Sequence, residues 1–454
     1  MRARFRKAAG ESYAGAGFGQ RNFPGMSKAL TRISCAALLL ATLGLPAFAG
    51  AAEGLVPQHT EEVTSAPVRA TRNGTARLEF SAFSRDFRLQ LANNPRLALV
   101  AAGSSLQLYT GNLDGIPGSW ARISVRDGLP RGMIWDGSEL FIVDAAPEGV
   151  TSGAAGTVMY KLSDAVLERG VSFTGDTVEV PRDAAAAYGA MVGELRTRAQ
   201  ALQAGVATKR VEISVLGDEA YVRRYGSESE ARDALLTRLN NVDGIFSSQV
   251  GVELQVESMH LADEVTGNLS AATDSGDLLR ALGRLREKDP ALYATALTHL
   301  FTGRNLEGDT AGIAYTLALC SRRFGASLTM AHNSATLDTL ITAHEIGHVF
   351  GAAHDGTGQC ASTPTGQYIM TPLLTTSVTS FSQCSLDEID EVIDSYSCVA
   401  DLPSPSPAPP EPPAPPPDDE GGGGGGVSDP GWLLALATVL AGKLWRNRRG
   451  ITRG

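Results

Sequence analysis

The sequence predicts a β-rich domain over residues 50–205, followed by an α/β domain over residues 206–400. Apolar and polar residues alternate in Ala76–Phe80 and again in Phe87–Leu91, which favours strands in the first domain. From Val211 onward, strand-like and helix-like patterns take turns, which favours an α/β fold in the second domain. With 454 residues, 43 % of them hydrophobic, the chain is long enough to build two or three domains with real cores.

Turn signals divide the β-rich domain into short segments. They are Asn73-Gly74, Asn112, Asp114-Gly115, Pro117-Gly118, Asp127-Gly128 and Asp136-Gly137. Short strands separated by such turns are typical of a β-rich domain, and no residue pattern in this region carries chemistry by itself.

The α/β domain is predicted to contain two strands and three helices. The strands are Val211–Val215 and Val252–Val256, and the helices are Ser229–Phe246, Leu278–Leu297 (broken near Pro290) and Leu337–Phe350.

Charge and composition narrow the class of partner. The net charge is −10 and the isoelectric point is about 5.3, whereas a nucleic-acid binder would carry a basic patch. We therefore expect no nucleic acid, and the charge balance specifies no other partner.

The N-terminal residues resemble a secretory signal. The apolar run Ile33–Leu45 follows basic residues and precedes Ala47-Phe48-Ala49, an A-x-A cleavage site. This predicts a signal peptide over residues 26–49. Residues 1–25 look out of place before it, so Met26 is the expected start, although Met1 stays an alternative.

The C-terminal residues form a second targeting segment. Residues 401–426 are a Pro/Gly-rich linker, and residues 427–454 hold the apolar run Trp432–Leu444 and a basic end. The run is shorter than the roughly 20 residues that span a membrane comfortably. The order of a Gly-rich stretch, a short apolar run and a basic end resembles the GlyGly-type sorting tails of exported Gram-negative proteins. This resemblance implies transient membrane association. A permanent weak anchor is the alternative, so removal of the tail is left open.

Cysteines point to an oxidising compartment. Cys35 lies in the signal peptide, and the other four are Cys320, Cys360, Cys384 and Cys398. An even number in an exported chain predicts two disulfides, with free buried thiols as the alternative. Four cysteines allow three pairings, and their spacing does not choose among them.

A metal-binding motif lies in the third predicted helix. His344, Glu345 and His348 form H-E-x-x-H, which places both imidazoles on one helix face and Glu345 beside the ion. A glycine at Gly351 can adopt the left-handed conformation, end the helix and bring His354 back as a third ligand. Three histidines leave one position open, as in catalytic zinc sites.

A bare H-E-x-x-H can occur by chance on an amphipathic helix. Here the full pattern H-E-x-x-H-x-x-G-x-x-H is present, and it holds three of the chain's seven histidines. The pattern therefore favours a zinc site strongly over satisfied surface or core histidines.

These residues resemble the metzincin zinc proteases. The segment His344–Asp355 (HEIGHVFGAAHD) together with Met370 carries the likeness, and Asp355 directly after the third histidine resembles the adamalysin, or reprolysin, branch. The resemblance implies a metzincin-type mixed sheet with an active-site helix and one catalytic zinc ion. A structural calcium ion is allowed, but no pattern indicates one. The segment Tyr109–Asp144 resembles the propeptide of the same branch, so the β-rich domain is expected to be a propeptide of a zymogen.

The same resemblance assigns further residues. It implies structural roles near the site for Gly351, Asp355 and Met370, although a lone methionine is more often core filler. It implies that Gly312, Ile313 and Ala314 lie on the edge strand that binds substrate. The implied disulfides are Cys320–Cys398 and Cys360–Cys384.

One departure from the family concerns latency. Many family propeptides inhibit through a cysteine thiolate on the zinc, but no cysteine lies between Gly50 and Leu319. Latency, if present, must be steric or use another ligand. The propeptide cut is expected between Leu195 and Lys209.

The expected function is secreted zinc-dependent endopeptidase activity, with Glu345 taking the proton of the attacking water. The alternative is a non-catalytic, zinc-stabilised binding module at the cell surface, which would have no use for Glu345. The physiological substrate is not indicated.

Overall fold

The structure is a computed structural model, and its described residues are 54–63, 68–70, 74–146, 156–167, 173, 175–179, 207–308, 310–376 and 378–403. The predicted signal peptide, residues 1–25, the apolar C-terminal run and all but the last three residues of the interval expected to hold the propeptide cut lie outside these ranges. Within them, no helix combines the length and apolar character needed to cross a membrane.

The N-terminal region is rich in β-structure, as predicted. Its described strands are β1 (Leu55–Pro57), β2 (Glu61–Glu62), β3 (Arg69–Ala70), β4 (Thr75–Ala82), β5 (Arg85–Asn93), β6 (Gln107–Leu113), β7 (Trp120–Arg126), β8 (Leu129–Trp135), β9 (Leu140–Ala145), β10 (Thr157–Lys161) and β11 (Ala165–Leu167). In the described part, β2 to β10 form one antiparallel sheet in the order β2-β10-β9-β8-β7-β6-β5-β4-β3, and β1 pairs with β11.

Residue alternation along these strands builds two cores. In β4 every second side chain is buried, and Leu78 and Phe80 pack with Phe87 of β5 in a core of the sheet's own. In β7 both faces are buried: Ile123 belongs to that core, whereas Trp120 packs into the core of the second domain. The sheet is therefore covered by the α/β domain on part of one face.

Turn chemistry explains one prediction that holds and one that is wrong. Asp127 and Gly128 both have positive φ, 52° and 80°, and join β7 to β8 in a tight hairpin. Asn112 is not in a turn; it pairs with Gln90 inside β6. The turn comes three residues later at Gly115, where φ is 72° and glycine has no steric penalty.

The second domain is a mixed sheet flanked by helices, as the resemblance implies. Its described strands are β12 (Thr177–Glu179), β13 (Lys209–Gly217), β14 (Val252–Leu261), β15 (Leu297–Thr302), β16 (Gly312–Thr316), β17 (Ala326–Met330) and β18 (Val399–Asp401). Its described helices are α1 (Glu219–Tyr225), α2 (Glu228–Ile245), α3 (Ser275–Lys288), α4 (Pro290–Tyr293), α5 (Ala335–Phe350) and α6 (Gln383–Ile393).

The order of strands is β12-β16-β17-β15-β13-β14, with β18 added to β13. The pairs β13/β14, β13/β15 and β15/β17 are parallel, whereas β16 runs antiparallel to β17. Strand β12 comes from the region assigned to the propeptide, yet it extends this sheet by pairing in parallel with β16.

The helix expected over Leu278–Leu297 is shorter than predicted. It ends at Lys288, and Asp289 then caps a short second helix that begins with Pro290. Leu297 already belongs to β15, which is buried along its whole length and therefore lacks the alternation that identifies a strand.

The four cysteines outside the predicted signal peptide form two bridges. The structure joins Cys320 to Cys398 and Cys360 to Cys384, which is the pairing that the family resemblance implies. The first bridge connects the end of the segment after β16 with the C-terminal end of the domain, and the second ties the loop after α5 to helix α6.

Helix α2 is shared by the two domains. Its Asp243, with a side chain 1 % exposed, accepts hydrogen bonds from Arg96 at 2.8 Å and from Arg122 at 3.0 Å, both in the N-terminal region. Burial raises the pKa of Asp243, but the two guanidinium groups outweigh it and hold the pKa below its ordinary range. At Gly244 a Cβ would lie 2.8 Å from the Trp120 ring, so glycine permits this close packing.

We expect Asp243→Ala to lower the free energy of unfolding by about 3–5 kcal/mol, because it leaves two buried guanidinium groups without their carboxylate. Urea denaturation of the full chain measures the change. The matched control is Asp86→Ala, which removes an exposed Asp–Arg pair and should cost less than about 1 kcal/mol. Equal effects of the two substitutions would show that the Asp243 network does not hold the domains together.

Candidate metal centre

Helix α5 presents the first two histidines on one face. Ser334 caps its N-terminus by accepting a hydrogen bond from the Leu337 amide. His344 and His348, one turn apart, are fully buried, and their Nε2 atoms lie 3.0 Å from each other. Burial lowers the pKa of His344 to about 4, against the opposing effect of a nearby carboxylate. The ring is therefore neutral near pH 7, the form that binds a metal ion.

Gly351 ends the helix in the left-handed conformation, with φ of 113°. The amide of Ala352 donates to the carbonyl of Gly347, which closes the helix end and turns the chain back. His354 thereby approaches the other two rings, with Nε2–Nε2 distances of 3.1 Å to His344 and 3.2 Å to His348.

The other ring nitrogen of two histidines is fixed by the backbone. Nδ1 of His344 lies 2.6 Å from the carbonyl oxygen of Ile369, and Nδ1 of His348 lies 2.8 Å from that of Ala352. Since a carbonyl only accepts, each Nδ1 carries the hydrogen and donates it. Each Nε2 is then an acceptor whose lone pair points into the cluster.

A fourth acceptor comes from the N-terminal region. Oδ2 of Asp176 lies 3.1 Å from Nε2 of His344, 3.2 Å from that of His354 and 3.7 Å from that of His348. Burial raises the pKa of this carboxyl, but its contacts with the three imidazoles outweigh burial and hold the pKa far below its ordinary value. Asp176 is therefore an anion, and its side chain is 1 % exposed.

The four atoms fit a zinc ion. Their six separations lie between 3.0 and 3.7 Å, so they mark the corners of a nearly regular tetrahedron. The centre of such a tetrahedron is about 2.0 Å from each corner, the usual zinc–ligand distance. A cation at the centre would bind all four atoms at once and would stabilise this close spacing. The donor set, nitrogen with one carboxylate, is one that zinc prefers.

Glu345 has no partner of its own. It is fully buried, and neither carboxylate oxygen has a hydrogen-bond partner among the described residues. Burial raises the pKa of Glu345 well above its ordinary value, and the Asp176 carboxylate raises it further. A Cβ added at Gly312 would lie 2.5 Å from Oε1 of Glu345, so only glycine leaves room for this carboxylate against strand β16.

The loop that carries His354 is held in place by hydrogen bonds to Met370, Ser382 and Glu388. The amide of Asp355 donates to the carbonyl of Met370, and the carboxylate of Asp355 accepts a hydrogen bond from Ser382 at 2.7 Å. The amide of Ala353 donates to Glu388 of α6 at 2.8 Å. Burial raises the pKa of Asp355, while the serine hydroxyls partly oppose the shift.

Met370 packs beneath the helix. It is fully buried, and a Cβ at Gly347 would lie 2.7 Å from its sulfur, so the absence of a side chain at Gly347 admits the thioether between the two histidine turns. The structure thus places Met370 and Asp355 beside the histidine cluster.

Strand β16 lies along the site. Gly312, Ile313 and Ala314 are buried within it, and the amide of Ala314 donates to the backbone oxygen of Asp176 at 2.8 Å. Just beyond the strand, the amides of Leu317 and Ala318 donate to the last carbonyls of α5, which would otherwise lack partners. Strand and helix are therefore held in register with each other.

Comparison with known families matches the same part of the chain. Residues 207–382 match the family described as Reprolysin_5, metallo-peptidase family M12. These residues form a reprolysin-type metallopeptidase domain. The predicted resemblance to the adamalysin branch of the metzincins is confirmed for this domain, and a metallopeptidase of this family implies zinc as its usual cofactor.

The reprolysin domain has relatives among characterised proteins. "A disintegrin and metalloproteinase with thrombospondin motifs 14" from Homo sapiens is 26 % identical over 358 residues, covering 71 % of this chain and 28 % of that protein. "Zinc metalloproteinase/disintegrin" from Bitis gabonica is 23 % identical over 193 residues, covering 42 % of this chain and 58 % of that protein. The chain spans less than two thirds of the length of either relative.

Sequence reasoning missed two residues that contact the histidines of the reprolysin domain. One is Asp176, and the other is Phe173, whose ring stacks on His344 with centroids 3.8 Å apart and planes 12° apart. No local pattern distinguishes this aspartate from others in the N-terminal region. The hint in the sequence was indirect. Because the propeptide-like region has no cysteine, a block of the metal through a ligand would need a different side chain.

We expect Gly351→Ala to destabilise the reprolysin domain by about 1–3 kcal/mol through backbone strain and to weaken zinc binding at least about tenfold, because His354 depends on this turn. The new Cβ would also lie 3.0 Å from Leu317. Urea denaturation and zinc competition with a chromophoric chelator measure the two effects.

Gly137→Ala is the control. Gly137 also has positive φ, 97°, but a Cβ there would meet nothing within 4 Å. It should cost stability and leave the zinc affinity unchanged. An unchanged zinc affinity in Gly351→Ala as well would contradict the role assigned to this turn.

Proposed function

We propose that the protein is an exported zinc endopeptidase that hydrolyses peptide bonds in proteins, with His344, His348 and His354 as metal ligands and Glu345 as general base. The match to a metallopeptidase family does not favour the alternative of a non-catalytic binding module. The proposal goes further than the family match in naming the residues, the substrate class and the location.

The observation that carries the proposal is the Glu345 carboxylate. A buried carboxylate without hydrogen-bond partners costs several kcal/mol, so a structural role would leave it uncompensated. Beside three convergent imidazoles, a carboxylate that is free of partners can accept a proton during the reaction. A structural zinc site would also be closed by protein side chains from one domain and would need no such group.

The mechanism assigns each side chain a task. His344, His348 and His354 would hold a zinc ion, which would supply a Lewis acid to polarise the scissile carbonyl and to favour ionisation of water near neutral pH. Glu345 accepts the proton of the attacking water and delivers it to the amine that leaves. Burial and the raised pKa of Glu345 suit the second transfer, and the positive charge of a metal would lower that pKa toward the range needed for the first.

The substrate would bind as an added strand. We propose that an extended peptide lies antiparallel to β16, along Gly312, Ile313 and Ala314, so that main-chain hydrogen bonds position the scissile bond. The segment Thr371–Leu374 would form the wall of the first pocket on the primed side. Its apolar residues support a preference for an apolar side chain there.

Export would account for the two disulfides and for the two terminal targeting segments. Two disulfides indicate an oxidising compartment. We propose that the N-terminal signal directs export in a Gram-negative bacterium and that the basic C-terminal tail gives transient membrane association. We also propose that the protein acts as a monomer on protein substrates, without nucleic acid.

We expect Glu345→Gln to lower turnover of denatured casein at least about 10²-fold, the usual size of a general-base effect, while zinc content stays at one ion per chain. Initial rates on processed protein, with zinc measured by atomic absorption, provide the test. The control Glu219→Gln alters an exposed glutamate and should retain full activity. Wild-type turnover by Glu345→Gln would remove Glu345 from the mechanism.

We expect a chelator such as 1,10-phenanthroline to abolish cleavage by the processed protein, and added zinc to restore it, because the histidine cluster needs a cation. A non-chelating phenanthroline isomer is the control. Full activity after dialysis has reduced zinc to background would rule out the zinc peptidase.

A further inference from the structure

We propose that Asp176 is a fourth protein ligand of the metal and that the segment around it, Phe173 with Gly175–Glu179, is a built-in inhibitor of the peptidase. This segment is called the plug below. The proposal rests on the proposed function, and it names the regulation of the same site.

The first argument is the position of the carboxylate. Oδ2 of Asp176 completes the tetrahedron with the three Nε2 atoms, and Oδ1 is buried without a partner. The polar contacts of Oδ2 are the three imidazole Nε2 atoms, which converge on a common centre with it. A cation at that centre would lie within bonding distance of all four atoms. The geometry therefore assigns Asp176 to the metal and not to a salt bridge with histidine.

The second argument is that the plug is held on both sides of the site. The Phe173 ring is fully buried and stacks on His344, and the Phe173 amide donates to the carbonyl of Pro372 at 2.9 Å. On the other side, the backbone oxygen of Asp176 accepts from the Ala314 amide. The plug thus contacts both the edge strand and the wall segment that we assign to substrate binding.

The third argument is the direction of the chain. Strand β12 pairs in parallel with β16, with Thr177 opposite Ala314 and Glu179 opposite Thr316. A substrate in the proposed orientation runs the other way. The plug therefore covers the same hydrogen-bonding edge but presents its peptide bonds in reverse, which protects it from the cleavage that a substrate undergoes.

Together these contacts explain how the site would be kept inactive. With Asp176 bound, the metal has four protein ligands, and no position is open for a reacting group. Removal of the plug takes away one carboxylate anion and uncovers β16 in the same step, without any covalent change at the metal. Asp176 would be the other ligand that, beside steric blocking, stays possible when no cysteine lies between Gly50 and Leu319.

The first test measures the metal and not the activity. Full-length chains carrying Glu345→Gln, which prevents self-cleavage, are loaded with zinc and mixed with an excess of chromophoric chelator. Asp176→Asn in this background should release zinc at least about tenfold faster, because a charged ligand becomes a neutral one. Asp86→Asn, an exposed aspartate of the same region, should release zinc at the parent rate. Asp176→Ala serves as a second variant if the asparagine chain folds poorly.

Cobalt substitution gives an independent readout. The visible spectrum of the cobalt form should change in Asp176→Asn and stay the same in Asp86→Asn, because only the first alters a ligand. Equal release rates and equal spectra for parent and Asp176→Asn would overturn the proposal while leaving the peptidase intact. A parent chain that binds no zinc would instead overturn the proposed function itself.

The second test concerns inhibition. With Glu345 restored, uncut Asp176→Asn chains, verified by intact mass, should hydrolyse a quenched fluorescent peptide at least about tenfold faster than uncut parent chains. Faster zinc release without faster hydrolysis would show that Asp176 binds the metal but does not inhibit, and would defeat the inhibitory half of the proposal.

Discussion

Four side-chain atoms that can bind a metal ion converge at the end of helix α5, and the surrounding structure holds them there. Two imidazoles are fixed by hydrogen bonds from Nδ1 to backbone carbonyls, a third arrives through the turn at Gly351, and a carboxylate approaches from the segment just before β12. Met370 and Gly347 support the rings from below. A cation at the centre of the four atoms would stabilise this arrangement, and the arrangement would in turn favour binding of the metal.

The site could be predicted from the sequence where its parts are local. The spacing of His344, His348 and His354, with a glycine before the last, is a property of eleven consecutive residues, and the α/β pattern follows from alternation in β13 and β14. Asp176 lies 168 residues before His344, and its approach to the histidines depends on long-range pairing of its segment with β16. Strand β15 was not predicted either. Because it is buried on both faces, it lacks the alternation of apolar and polar residues that identifies a strand. Turn signals were reliable where glycine had positive φ and failed at Asn112, where strand pairing outweighed the preference of asparagine for turns.

Glycine has a double function in this domain. At Gly351 it supplies a conformation that other residues adopt only with strain. At Gly312 and Gly347 the conformation is ordinary, and the absence of a side chain is what matters, because a carboxylate and a thioether occupy the space. At Gly312 and Gly347, the compactness of the site therefore comes from the missing side chain.

Helix α2 connects the N-terminal sheet to the reprolysin domain through buried ion pairs that are independent of the covalent chain between them. A single cut between the domains would therefore leave two fragments bound to each other. The share of fragments that stay bound would then fall as the protein is diluted, so concentration as well as cleavage would decide how much of the reprolysin domain is free.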